Sequence, residues 1–170
     1  MRDEDYDEYE DNPDHDGGIY TAAEAWCTDP AAAKARYGPI ASWDTSGVTD
    51  MFRLFEGKGD FNEDISRWNV SNVSRMGNMF SGATSFNVDL SSWDVGQVRF
   101  MNSMFAGATS FDRQLGGAWV TIRGPWNQSD DTRSMFYRSP GTIVGREIAA
   151  DGTLVKMTKV SRVGVGSSIH

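Results

Sequence analysis

The sequence has few of the side chains from which most catalytic and metal sites are built. Its 170 residues include one cysteine, Cys27, and two histidines, His15 and His170. A single cysteine excludes an internal disulfide framework, and we expect it to be a buried, inert thiol. The histidines lie near the two ends and neither sits near a plausible catalytic nucleophile in sequence, and neither a phosphate loop nor a Cys/His metal cluster occurs. We therefore expect no enzyme and no cofactor.

Long apolar runs are also missing. No stretch approaches the roughly 18 apolar residues that a helix needs to cross a bilayer. The acidic start of the sequence is opposite in charge to the n-region of a secretory signal. We expect neither a transmembrane segment nor a signal peptide in this chain.

Basic residues are nearly absent from the beginning of the chain. Residues 1–16 contain nine acids and one base, so they carry the whole net charge of −8, and the remainder balances 15 acids with 15 bases. From Arg133 onward six bases face two acids. Residues 1–18 thus form an acidic tail, which we expect to be solvated unless a partner orders it, and residues 140–170 form a basic one. The side chains in or beside these tails that we expect to contact a partner are Tyr6, Tyr9, Tyr20, Arg146, Lys156, Lys159 and Arg162.

The middle of the chain repeats itself every 25 residues, beginning with three tryptophans at this spacing. Units this short are typical of proteins in which equivalent side chains of neighbouring units bury one another. We predict that the periodic residues form stacked ladders. The predicted ladder residues are Trp43, Trp68, Trp93, Val48, Val73, Val98, Met51, Met76, Met101, Met79, Met104, Phe55, Phe80, Phe105, Phe61, Phe86 and Phe111.

The repeat predicts an α/β fold, a short right-handed solenoid of about three to four coils over residues 39–139. Within each coil we predict a short parallel strand, such as Val73 to Met76, and one helical turn through the following Met-Phe pair. Residues 19–38 are expected to form a helical cap, with a capping box at Thr21–Glu24 and a second helix that starts at Asp29-Pro30. Residues 140–170 are expected to be extended or to form a hairpin from 142–148 and 153–160.

Two repeated polar or aromatic series suggest ligand sites. The carboxylates Asp44, Asp64, Asp89 and Asp94 would hold Ca²⁺ if stacking brought them together, although residues of this kind at turns usually bond to backbone. The three tryptophans would bind sugars or peptides if they formed an exposed platform, although core packing is the more common role. We favour the structural interpretation of both series.

The motifs Trp93-Asp94-Val95 and Met104-Phe105-Ala106-Gly107-Ala108 resemble those of the BspA-like leucine-rich-repeat relatives, which occur in surface proteins of bacteria and protists. The resemblance covers roughly residues 20 to 115. It implies a repeat array used for protein contacts, often at a cell surface, with no catalytic residues.

The leading functional hypothesis is a non-catalytic protein–protein interaction module. The alternative is an accessory or linker subunit of a large complex, with a membrane-associated complex among the options, that is tethered by its charged tails. The resemblance suggests the cell surface as the location, and a complex in an organelle or the cytoplasm is the other option. A Ca²⁺-binding or carboxylate-dependent module is a minor third hypothesis. We expect protein partners and no nucleic acid.

Overall fold

The computed structural model describes residues 18–122 and 132–154. The predicted contacts Tyr6, Tyr9, Lys156, Lys159 and Arg162 lie outside the described residues, as do most of the acidic tail and most of the second arm of the predicted hairpin. Within the described ranges, no helix combines the length and hydropathy needed to cross a membrane.

Two helices precede the repeats. Helix α1 spans Ile19–Thr28 and helix α2 spans Pro30–Tyr37. Helix α2 begins where the Asp29 carboxylate accepts a hydrogen bond from the Ala32 N–H, and it ends at Gly38, whose φ is 77°. The predicted capping box at Thr21 is wrong, because α1 starts two residues earlier with Gly18 as its N-cap. A 3-10 turn, Ile40–Ser42, then leads into the first unit.

Backbone hydrogen bonds connect each unit to the next in a fixed register. The N–H groups of every second residue donate to carbonyls of the following unit, at 2.8 to 3.0 Å. From the first unit to the second these bonds join Met51 to Arg75, Arg53 to Gly77, Phe55 to Met79 and Gly57 to Ser81. From the second unit to the third they join Met76 to Phe100, Asn78 to Asn102, Phe80 to Met104 and Gly82 to Ala106. The intervening N–H groups bond within their own unit, as when Leu54 donates to the Met51 carbonyl at 3.3 Å, so this segment has few backbone donors to spare.

This ladder replaces the predicted strand and helical turn. At the predicted strand positions, parallel pairing is limited to single bridges, from Asp50 to Arg75 and from Arg75 to Phe100. The Met-Phe segment is a succession of tight turns rather than a helix, since Arg53 and Asn78 have φ values of 60° and 55°. A helix needs negative φ throughout, so the helical turn is wrong, and the predicted strands reduce to these bridges.

Aromatic rings stack from unit to unit along the core. Phe55, Phe80 and Phe105 follow one another with ring centroids 5.8 and 5.6 Å apart, and Phe136 continues the column at 5.4 Å. Trp68, Trp93 and Trp119 each donate the indole N–H to a carbonyl of the preceding segment, as Trp93 does to Ile65 at 3.1 Å. The predicted ladder residues are all buried except Trp43 and Val48, which are half-buried at the first unit.

The C-terminal part extends the array. Strand β1, Gln114–Leu115, pairs in parallel with strand β2, Thr142–Ile143, so the ladder continues beyond the insertion that contains Gly124-Pro125-Trp126. A 3-10 helix, Gly117–Thr121, lies between them in sequence and buries Trp119. The first arm of the predicted hairpin therefore pairs with the repeats. Antiparallel pairing in the described part of this region is a single bridge between Ile148 and Leu154.

Candidate protein interface

One side of the stacked units presents residues that do not repeat. The parallel bridges join equivalent positions of three units, which are occupied by Asp50, Arg75 and Phe100. The equivalent positions two residues later are occupied by Phe52, Gly77, Asn102 and Arg133. The ladder on either side is nearly constant, so these positions vary on a constant scaffold. We call this surface the arginine–aromatic face and define it by Tyr20, Phe52, Arg53, Arg75, Arg99, Phe100 and Arg133.

Phe52 lies at the centre of a cation–aromatic cluster. The guanidinium carbons of Arg53 and Arg75 lie 5.0 and 5.4 Å from the centroid of its ring, within the range of a cation–π contact. Gly77 leaves room for the ring, because a Cβ atom there would lie 3.1 Å from Phe52 and 2.7 Å from the Asn102 side-chain oxygen. A larger residue at this position would crowd the Phe52 ring and require the Asn102 side chain to move.

Two arginines of the face, Arg53 and Arg75, form ion pairs with acidic side chains. An Asp50 carboxylate oxygen accepts a hydrogen bond from the Arg75 guanidinium at 3.1 Å, and Asp50 is 91% shielded from solvent, with 9% relative exposure. Arg53 pairs with Glu56 at 3.3 Å on a more exposed part of the surface, where such a pair contributes little stability. The Asp50–Arg75 pair links the first unit to the second.

Phe100 is the most exposed large apolar side chain in the described part of the chain, at 47% relative exposure. It occupies the position that Asp50 and Arg75 fill in the first two units, and Arg99 directly before it is also exposed. An exposed aromatic beside arginines is the composition enriched at protein–protein interfaces.

Tyr20 and Arg146, both predicted to contact a partner, make contacts within the chain. The Tyr20 hydroxyl donates a hydrogen bond to the Phe52 carbonyl at 2.9 Å, and burial, followed by the charge of Asp50, raises its pKa well above the usual value. The Arg146 guanidinium donates to the Ile122 carbonyl at 2.8 Å. Tyr20 therefore anchors helix α1 to the face, and Arg146 ties the C-terminal segment to the end of the third unit.

The carboxylates of the repeated turns bond to their own backbone. Asp44, Asp64 and Asp89 each accept hydrogen bonds from the hydroxyl and the N–H of the serine two residues later, the hydroxyl bond being 2.6 Å in each case. These bonds, the hydroxyl first, lower the pKa of each carboxyl. In the described ranges no group of three His, Cys, Asp or Glu side chains is placed to hold a metal ion.

The lowered carboxyl pKa values predict a loss of stability in acid. A group whose pKa is lower in the folded than in the unfolded state contributes its full stability above the ordinary aspartate pKa, near 4, and loses it as the pH falls through the folded value. In Ser66→Ala, NMR titration should show the Asp64 pKa returning toward the ordinary value, while Asp89 in the same protein keeps its low pKa. An unchanged Asp64 pKa would contradict this assignment.

The tryptophan series does not form an exposed platform. Trp68 and Trp93 are 3% and 1% exposed, and their indole N–H groups are bonded inside the protein. Trp43 alone of the three is half-buried, against Trp26 of helix α1 at 5.8 Å between ring centroids. Cys27 is half-buried in the same cap, and burial raises the pKa of its thiol, which favours the unreactive protonated form.

Several members of the core and of the face were not predicted from sequence. Ile65, Leu90, Leu115 and Ile143 form a further buried series, and Trp119 continues the tryptophan series. The repeated Ile/Leu position in the unit was a usable signal for the first series, and the one-residue shift of Trp119 obscured the second. The arginine–aromatic face carries no repeat at all, so periodicity gave no sign of it.

Comparison with known families gives one match. The family described as "Mycoplasma protein of unknown function, DUF285" matches residues 28–142. No curated protein and no solved structure matches this chain. The matched range includes helix α2 and the stacked units, and it ends at Thr142, the first residue of strand β2.

Proposed function

This chain belongs to the DUF285 family, and we propose that it is a non-catalytic protein-interaction module, a short right-handed solenoid of the BspA-like leucine-rich-repeat type. The step of about 25 residues in the hydrogen-bonded ladder supports the repeat architecture. In such a protein each unit contacts only its neighbours, and binding surfaces run along the stack. The proposed binding surface is the arginine–aromatic face.

The exposure of Phe100 carries this proposal. Its neighbours at the same position are charged and partly or largely buried, yet Phe100 is 47% exposed on an otherwise well-packed unit. Aromatic anchors with arginine neighbours supply much of the binding free energy at protein interfaces. The expected partner is a protein surface that combines acidic side chains with an apolar pocket for the ring.

Photo-crosslinking tests this assignment. A photoreactive phenylalanine analogue at position 100, in cells that make this protein, should capture a discrete protein partner. The same probe at Val144, which is 42% exposed, is the matched control. Arg99→Glu in the position-100 protein should reduce the yield of that partner. Equal capture from both positions, or an Arg99→Glu protein with unchanged yield, would overturn the assignment.

The alternative role, a subunit tethered to a larger assembly by its tails, requires a revised deletion. Residues 142 and 143 pair with the third unit, and Leu154 is buried, so removing all of 140–170 would also damage the fold. Removing residues 1–17 and 155–170 leaves the described ranges intact. Tethering would be favoured if this deletion abolished partner binding while Arg99→Glu left the crosslinking yield from position 100 unchanged.

A further inference from the structure

We propose that the acidic segment 1–16 of this chain binds the arginine–aromatic face as an internal ligand and competes there with the partner. The competition rests on the proposed function, whereas the docking of the segment does not. Three observations identify segment 1–16 as the ligand of this face: its charge relative to that of the face, the point at which it joins the described chain, and its length.

Charge complementarity is the first observation. The face carries four arginines, Arg53, Arg75, Arg99 and Arg133, and two acids that pair with them, Asp50 and Glu56, so these six residues have a net charge of +2. Segment 1–16 has a net charge of −8, while the rest of the chain is neutral. The face is therefore a basic patch on a neutral body, and the segment is the strongest concentration of negative charge in the chain.

The attachment point is the second observation. The described chain begins at Gly18, and two residues later Tyr20 is fixed to the face by its hydrogen bonds to the Phe52 carbonyl, at 2.9 Å, and to the Asp50 carboxylate, at 3.5 Å. The segment thus joins the protein at the edge of the surface it is proposed to bind. Sixteen residues reach at most about 55 Å when extended, whereas neighbouring hydrogen-bonded segments lie only about 4.8 Å apart. Its length is ample to cross all four units.

The composition of the segment suits this surface. Tyr6 and Tyr9 alternate with acids in the run from Asp5 to Glu10. Carboxylates pair with arginine guanidinium groups, and tyrosine rings pack against guanidinium groups or phenylalanine. Because the segment is tethered, its effective concentration at the face is of the order of millimolar. A contact of modest affinity then suffices to occupy the surface.

A spin label tests the docking directly. In a Cys27→Ser background, a nitroxide at Asp5→Cys should broaden the NMR signals of the Arg75, Arg99 and Phe100 amides. The broadening should disappear in 0.5 M NaCl and in Arg99→Glu, since ionic contacts of an exposed segment are screened. A label at Ser168→Cys is the control for the opposite terminus.

Absent or salt-insensitive broadening, or broadening confined to the C-terminal residues, would overturn the docking. A mixture of labelled unenriched protein with unlabelled isotope-enriched protein separates docking within one chain from docking between copies. Broadening only in the mixture would overturn the intramolecular proposal.

The competition is measured separately by the crosslinking yield from position 100. Deleting residues 1–16 should raise that yield about tenfold when partner is limiting, because a millimolar internal competitor is removed. An unchanged yield, with the label result intact, would overturn the competition while leaving the docking in place. Failure of all capture at position 100 would overturn the proposed function and the competition, and the label result would still decide the docking.

Discussion

Met79→Asp should abolish cooperative unfolding of the repeats. Met79 is fully buried in the second unit, and its carbonyl accepts the N–H of Phe55 from the first. A buried carboxylate without a partner costs several kcal/mol, and loss of the methionine packing adds about 2–5 kcal/mol. Their sum is comparable with the whole stability of a small domain, about 5–15 kcal/mol. Near-UV circular dichroism and a thermal melt should show no native transition.

The matched control places the same charge on the surface of the same unit. Ser85 is exposed, and its contact with the first unit is made by its backbone N–H to the Gly59 carbonyl at 3.0 Å. Ser85→Asp should therefore melt within a few degrees of the unmodified protein. A Met79→Asp protein that melts like this control would refute the buried stack.

Gly152→Ala should release the C-terminal segment from the backbone of Phe136 and Tyr137. Gly152 has φ of 80°, and a Cβ atom there would lie 2.5 Å from the Tyr137 Cα and would also collide with the Tyr137 nitrogen. The collision is with backbone, so no side chain can move to relieve it. The bond from the Phe136 N–H to the Gly152 carbonyl, at 3.0 Å, should be lost, and we expect a cost of about 3 kcal/mol or more. Hydrogen exchange at Phe136 would report the opening.

Gly145→Ala is the control for Gly152→Ala, because it introduces the strain of a positive φ without the backbone collision. Gly145 has nearly the same conformation, with φ of 70°, but no atom lies within 4 Å of a Cβ built there. We expect it to cost about 1–2 kcal/mol, the usual range for a non-glycine residue in this region. Equal destabilisation by the two substitutions would show that the close approach of Gly152 to Tyr137 does not exist in solution.

The period of 25 residues predicted the core because equivalent side chains of stacked units meet. Phe80 packs between Phe55 and Phe105, and Met76, Met79 and Phe86 are fully buried, as their spacing indicates. The same period gave the wrong backbone. Val73, Met76 and Met79 recur every three residues, which resembles a helix, but the spacing arises from tight turns with left-handed residues such as Asn78. At the first left-handed position of each turn the residues are Arg53, Asn78 and Ser103 instead of glycine, so no glycine marks that conformation in the sequence.

The period of 25 residues did not predict the candidate interface, because the residues of that surface differ from unit to unit. Asp50, Arg75 and Phe100 occupy one position in three units and share no chemistry. Positions that vary between units do not stand out in a search for repeated residues. On a repeated scaffold, however, these variable positions determine what the surface binds. The strand pairing of 114–115 with 142–143 was obscured because the insertion that contains Gly124-Pro125-Trp126 breaks the period of 25 residues.

Hydrogen bonds that join the units in a fixed register should protect particular backbone amides from hydrogen exchange. The middle-unit amides of Asn78, Phe80 and Gly82 should exchange slowly, because they donate to Asn102, Met104 and Ala106 at 2.8 to 2.9 Å. Exchange should be faster at the Ile148–Leu154 end of the array. Rapid exchange of Asn78, Phe80 and Gly82 under native conditions, at rates like those of the C-terminal end, would show that these bonds do not persist in solution.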